Sequence, residues 1–118
     1  MKTVISTDKA PAAIGPYSQA IEVNGMVFTS GVIPVNPATG EIPSGVEAQA
    51  EQAFSNLSNL LEAAGTSTEK VVKTTVFIKE MNDFATINAI YAKYFTASFQ
   101  RLSMVRKHRN KPEILISL

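Results

Sequence analysis

The chain contains no cysteine, no tryptophan and a single histidine, His108. Without cysteine there is no disulfide framework, no thiolate zinc or iron–sulfur site and no thiol nucleophile. One histidine supplies neither a metal cluster nor an acid–base pair, and no nucleophile-elbow pattern accompanies it to complete a Ser-His-Asp triad. Phosphate-cradling and dinucleotide glycine motifs are missing too. No apolar run approaches the ~20 residues of a membrane span, and the opening Met1–Ile5 carries one Lys but no signal-type apolar core. A cysteine-free chain with these features is expected in the reducing cytoplasm, with no membrane partner.

What is present fits one globular domain over residues 1–118, with 45% apolar and 18% charged residues and a net charge of +1. The charge is unevenly placed. Residues 1–100 hold six Lys/Arg against nine Asp/Glu, whereas residues 101–118 hold five against one. This basic tail (Arg101, Arg106, Lys107, Arg109, Lys111) is the ordinary pattern of a solvated loop before a last strand. An RNA role would need a wider positive face, so no specific nucleic-acid partner is expected.

Local patterning predicts a hairpin, two helices and four further strands. Asn24-Gly25 between Ser18–Val23 and Met26–Ser30 favours the two positive φ angles of a type I′ turn. Ser44 and Glu47 have capping-box spacing ahead of an apolar stripe at Val46, Ala50, Ala53, Phe54, Leu57, Leu60, Leu61 and Ala64, and Gly65 stops that helix. Asn56-Leu57-Ser58 matches a glycosylation sequon but falls in mid-helix. Val71–Ile78 reads as a strand. A second helix spans Asp83–Phe95, capped by Asn82 or Asp83, with Phe84, Ile87, Tyr91, Tyr94 and Phe95 as its apolar face. Leu102–Val105 and Glu113–Leu118 read as strands, with Thr3–Ile5 as another at the start. The order predicts an α+β fold, ββαβαβ, with two helices on one face of a four- to six-stranded mixed sheet. The opposite face is left without a cover, which predicts self-association.

Ala10-Pro11-Ala12-Ala13-Ile14-Gly15-Pro16-Tyr17-Ser18-Gln19-Ala20 resembles the opening signature of the RidA/YjgF family of imine deaminases. Thr29–Pro37 with Thr39-Gly40-Glu41 is similar to the family's second motif. Val72–Ile78 and Met81–Phe84 through Asn88 and Tyr91 are similar to the third stretch. The likeness runs through residues 3–95. It implies a chorismate-mutase-like homotrimer around a central barrel, with clefts between subunits and no cofactor or metal. It also implies hydrolysis of small 2-imino (enamine) acids, such as 2-iminobutanoate and 2-iminopropanoate, to 2-oxo acids and ammonia.

By position, the resemblance assigns a catalytic role to Tyr17 and substrate-binding roles to Ser30, Gly31 and Asn88, with Arg101 and Glu113 as the nearest stand-ins for the family's catalytic arginine and glutamate. After Phe99 the chain departs from the family pattern. Leu102 stands where Phe-Pro-Ala-Arg-Ser has its arginine, and Arg101 comes one residue earlier. On a strand, such a shift moves a side chain to the other face. Two further readings therefore stand beside the deaminase: a non-catalytic trimer binding small carboxylates, and an RNA-directed translation inhibitor or endoribonuclease, a label some relatives carry.

Overall fold

Asn24 and Gly25 take φ angles of 53° and 76°. The type I′ turn they make joins β2 (Ala20–Val23) to β3 (Met26–Thr29), and β1 (Lys2–Ile5) pairs with the other edge of β2. The computed structural model describes residues 2–12 and 18–95 in full, and residues 101–106 and 114–117 as backbone strands. Paired residues share a face in this antiparallel meander. Ile5, Ala20 and Thr29 are buried on one side, while Val4, Ile21 and Phe28 form a cross-strand row on the other.

The second sheet is mixed. β4 (Lys73–Ile78) lies between a parallel β5 (Arg101–Arg106) and an antiparallel β6 (Ile114–Ser117). A parallel pair needs a crossover, and α2 (Phe84–Tyr94) lies within it. The expectation of one four- to six-stranded sheet is thus corrected. Among the described residues the ladders divide into two three-stranded sheets, with α1 (Val46–Ala63) in the chain between them.

The period-3.6 stripe of α1 is buried where it was expected: Ala50, Ala53, Phe54, Leu57, Leu60 and Leu61 are all covered. Two polar residues, Gln49 and Asn56, are buried with them. The helix ends in a Schellman motif. Thr66 N–H donates to the Leu61 carbonyl at 3.0 Å and Gly65 N–H to Glu62 at 3.0 Å, with Gly65 at φ 79°. Its start is not the expected Ser44–Glu47 box. Gly45 occupies the cap position at φ 88°, so Ser44 stands one residue too early and no side chain caps the helix. Asp83 does precede α2, but a 3-10 turn over Met81–Asp83 gives it helical angles, and its side chain makes no cap bond.

The apolar face of α2 is Ile87, Ile90 and Tyr91. Phe84, expected on that face, is 42% exposed, because it begins the helix one turn before the packed stretch. On β4 the alternation is clean, with Thr74, Val76 and Ile78 fully buried. The Thr74 hydroxyl lies 3.1 Å from the Tyr91 hydroxyl, so α2 covers that face of β4. Burial pushes the Tyr91 phenol upward, against the opposing hydrogen bond to Thr74. Phe54 of α1 meets three rings of the second helical segment: Tyr91 edge-on at 5.7 Å, Tyr94 stacked at 5.5 Å and Phe95 edge-on at 6.0 Å.

Phe54 is fully buried in this cluster. Phe54→Ala is expected to lower the unfolding free energy by about 3–5 kcal/mol in urea titration. A loss under about 1 kcal/mol would show that the aromatic cluster is not what joins the two helices.

Candidate active site

Residues 6–12 and 30–37 approach each other with little ladder pairing of their own, so their buried peptide groups need other partners. Three side-chain amides supply several of them. Gln19, immediately before β2, is buried; its Oε1 accepts from Thr7 N–H at 2.7 Å, and its Nε2 donates to the carbonyls of Thr7 (3.1 Å) and Pro11 (2.8 Å). The Gln19 backbone carbonyl accepts from Ser30 twice, from N–H at 3.0 Å and Oγ at 3.1 Å. Asn56, in the middle of α1, donates to the carbonyls of Ile33 at 3.0 Å and Val35 at 2.8 Å. Asn59 of the same helix donates to the Lys9 carbonyl at 2.9 Å.

Between the two loops lies a cleft of about 360 Å³. Ala10, Pro11 and Ala12 form one wall, Ser30 to Ile33 form the other, and Leu60 of α1 also contributes. Its lining among the described residues is neutral and mostly apolar. Such a space suits a small ligand's apolar side chain, with exposed Gly31 bringing bare backbone to the rim. Any anionic end of that ligand needs a cation from beyond this lining.

Of the residues singled out in the sequence, Ser30 and Gly31 line this cleft together. Asn88 does not; it is exposed on α2 and contributes nothing to the lining. Tyr17 and Glu113 lie outside the described residues, as do Gly15-Pro16 and the 107–111 stretch containing His108. Arg101 opens β5 in register with Lys73, and Leu102 with Thr74. Lys73 is exposed and Thr74 buried, so the one-residue shift separates two unlike register positions.

Sequence reasoning missed Gln19 and Asn56. Gln19 was part of the quoted signature without a role. Asn56 carried a detectable signal: it interrupts the apolar stripe between Ala53 and Leu57, where an unpaired amide would be costly.

No three His, Cys, Asp or Glu residues among those described stand together as a metal site. No helix among the described residues is long and apolar enough to cross a membrane.

A family profile described as endoribonuclease L-PSP matches residues 7–114. The chain belongs to this family, the RidA/YjgF proteins. A 2-iminobutanoate/2-iminopropanoate deaminase of Escherichia coli strain K12 is 48% identical over 121 aligned positions, covering 100% of this chain and 94% of the relative. A RutC family protein of Haemophilus influenzae is 54% identical over 95 residues, 80% of this chain and 73% of its own. Among solved structures, E. coli TdcF with bound serine superposes with a TM-score of 0.89 at 42% identity, covering 98% of this chain and 94% of that one. The E. coli YjgF gene product does so with a TM-score of 0.89 at 46% identity, covering 98% and 94%. The α+β fold is therefore that of the RidA family.

Away from the cleft, Glu51 of α1 accepts from Lys93 and, at 3.1 Å, from the Tyr94 hydroxyl of α2. The Lys93 hydrogen bond holds the Glu51 carboxyl below its usual range, while burial and then Glu51 itself push the Tyr94 phenol upward. A depressed carboxyl contributes stability above its unfolded pKa and loses it as pH falls through the folded value. Lys93→Ala is accordingly expected to cost no more than about 1 kcal/mol at neutral pH, since the pair is solvated. That cost should vanish on acidification below the ordinary carboxylate range. An undiminished cost in acid would show that the lysine acts through packing instead.

Proposed function

We propose that this protein hydrolyses small 2-imino (enamine) acids, of the 2-iminobutanoate and 2-iminopropanoate type, to 2-oxo acids and ammonia in the Ser30–Gly31 cleft. The observation that carries the reading is the cleft itself: a small, neutral, largely apolar space beside an exposed glycine. Relatives at 46–48% identity are named as deaminases of these compounds, and the TdcF structure holds serine, a small amino acid with a carboxylate.

The chemistry asks little of the protein. The C=N carbon is already electrophilic, so a positioned water adds its oxygen there while the nitrogen takes a proton. The resulting carbinolamine expels ammonia as its hydroxyl proton leaves, and C=O replaces C=N. Neither step needs a covalent enzyme intermediate. A planar guanidinium grips the substrate carboxylate in two places, and Arg101 is the candidate. Glu113 would order and deprotonate the water, and Tyr17 would fix the substrate. Asn88 enters this reading as a contact across the cleft mouth from a neighbouring copy.

A homotrimer supplies that copy. Its support here is the apolar row on the meander, with Val4 62%, Met26 52% and Phe28 49% exposed in the single chain. Burying such a face against other copies removes a large apolar patch from water. The unit would be the whole of residues 1–118, working in the cytoplasm without a cofactor.

One observation favours a second reading. Leu102 occupies the place of the family arginine, which fits a trimer that binds small carboxylates without turning them over. The RNA-directed reading has less support, since the cleft lining among the described residues has neither basic nor stacking aromatic side chains.

Ammonia release from 2-iminobutanoate, generated in situ by a threonine dehydratase, tests the choice. The deaminase accelerates decay over buffer, and Arg101→Ala reduces kcat/KM by roughly 10- to 100-fold through loss of charged hydrogen bonds. No acceleration by the assembled wild type, with activity appearing on Leu102→Arg, would establish the binding protein instead.

A further inference from the structure

We propose that Asn56 is a positioning residue for the cleft, setting from inside α1 the backbone of residues 31–35 against which the substrate lies. The inference rests on reading the cleft as the site of imine hydrolysis. Asn56 is not itself part of the cleft lining and does no chemistry; it grips two lining residues, Ile33 and Val35, by their carbonyls. Its effect passes through the loop.

Asparagine is a poor helix former, and a buried amide is unfavourable unless its hydrogen-bonding groups are matched. Asn56 is fully buried in mid-helix, yet its groups are matched on both sides. Nδ2 spends its two N–H groups on the carbonyls of Ile33 and Val35, and Oδ1 accepts from Gln52 Nε2 at 2.9 Å. Gln52 lies one helical turn earlier, so the pair forms an i,i+4 unit that holds the amide the right way round. Carbonyls at i and i+2 gripped by one amide fix the extended course of the loop between them.

The other end of the wall is fixed independently, where the Gln19 carbonyl takes both the N–H and the hydroxyl of Ser30. Only Gly31 and Val32 lie between the two anchors, and Val32 is itself buried. The exposed Gly31 peptide is therefore held on the cleft wall from both sides. Neither an apolar nor an anionic residue does this work at position 56. Leucine fills the same space but leaves two inward carbonyls without these donors, and aspartate sets oxygen against oxygen.

The test uses the full-length protein with Asn56→Leu and Gln52→Glu. The second variant changes only a half-buried helix position, so its folding is not in question. Replacing the donor to Oδ1 by an acceptor should rotate or loosen the Asn56 amide. The KM for 2-iminobutanoate and the Kd for 2-oxobutanoate, the product used as probe, are expected to rise together. The rise should be about tenfold for Asn56→Leu and about threefold for Gln52→Glu, with kcat moving less than KM, as loss of buried or single hydrogen bonds implies. Exchange of the Asn36 amide, bonded to the Glu41 carbonyl at 2.8 Å, should quicken relative to amides of β4. Lys93→Ala should leave all three quantities unchanged. If Asn56→Leu fails to fold, Gln52→Glu decides alone. A wild-type enzyme whose KM and Kd survive the substitutions overturns this inference and leaves the deaminase standing. A wild type that neither turns over the imine nor binds 2-oxobutanoate overturns both.

Discussion

The constraint on which the rest depends is the need to satisfy peptide groups in two loops that belong to no regular sheet. A strand settles its polar groups with its neighbour; residues 6–12 and 30–37 largely cannot. Gln19 and Asn56 answer that need from inside the fold, each with a side chain that mimics a peptide. Because both amides are buried among packed residues, the loops they hold inherit the rigidity of the core. A cleft between two such loops keeps its shape before any ligand arrives. That preorganisation matters for a reaction in which the protein chiefly positions water and a carboxylate, since there is no cofactor chemistry in the proposed route to compensate for loose geometry.

The packing around the cleft separates two kinds of surface. Phe54 and the Tyr91–Phe95 rings close the space between the helices, and the buried face of β4 seals it from below. On the meander, by contrast, Val4, Met26 and Phe28 are left to solvent in the single chain. In the proposed trimer this face would be the one that other copies cover. That proposal would answer two needs at once, since neighbouring copies would bring both a cover for the sheet and a cation that the cleft lining lacks among the described residues.

Much of the fold was legible in the sequence where one local signal dominates. Asn24-Gly25 admits few turns, the α1 stripe has a clear 3.6-residue period, and Gly65 could only stop a helix. Failures came where two neighbouring residues compete for one role. Gly45 took the cap that Ser44 was expected to fill, because its positive φ sets the chain's approach to the helix. Phe84 fell outside the packed face because α2 is buried only from Ile87 onward. The division into two sheets was not legible, since strand patterning says which residues pair in twos but not where a ladder ends. Ser30 and Gly31, singled out through the family motif, do line the cleft. Asn56 was not legible, because hydrophobic periodicity scores a polar residue in the stripe as noise, whereas here it is the anchor. The resemblance also placed Asn88 at the site, and within a single chain it lies elsewhere.

An amide-resolved NMR titration with 2-oxobutanoate locates a small 2-oxo acid on the protein without requiring turnover. The two-loop cleft predicts that shift changes concentrate at Ala10, Ala12 and Ser30 to Ile33, with little change along the exposed side of α1. Saturable changes confined to another part of the molecule, with the Gly31 and Val32 amides unmoved, would contradict it.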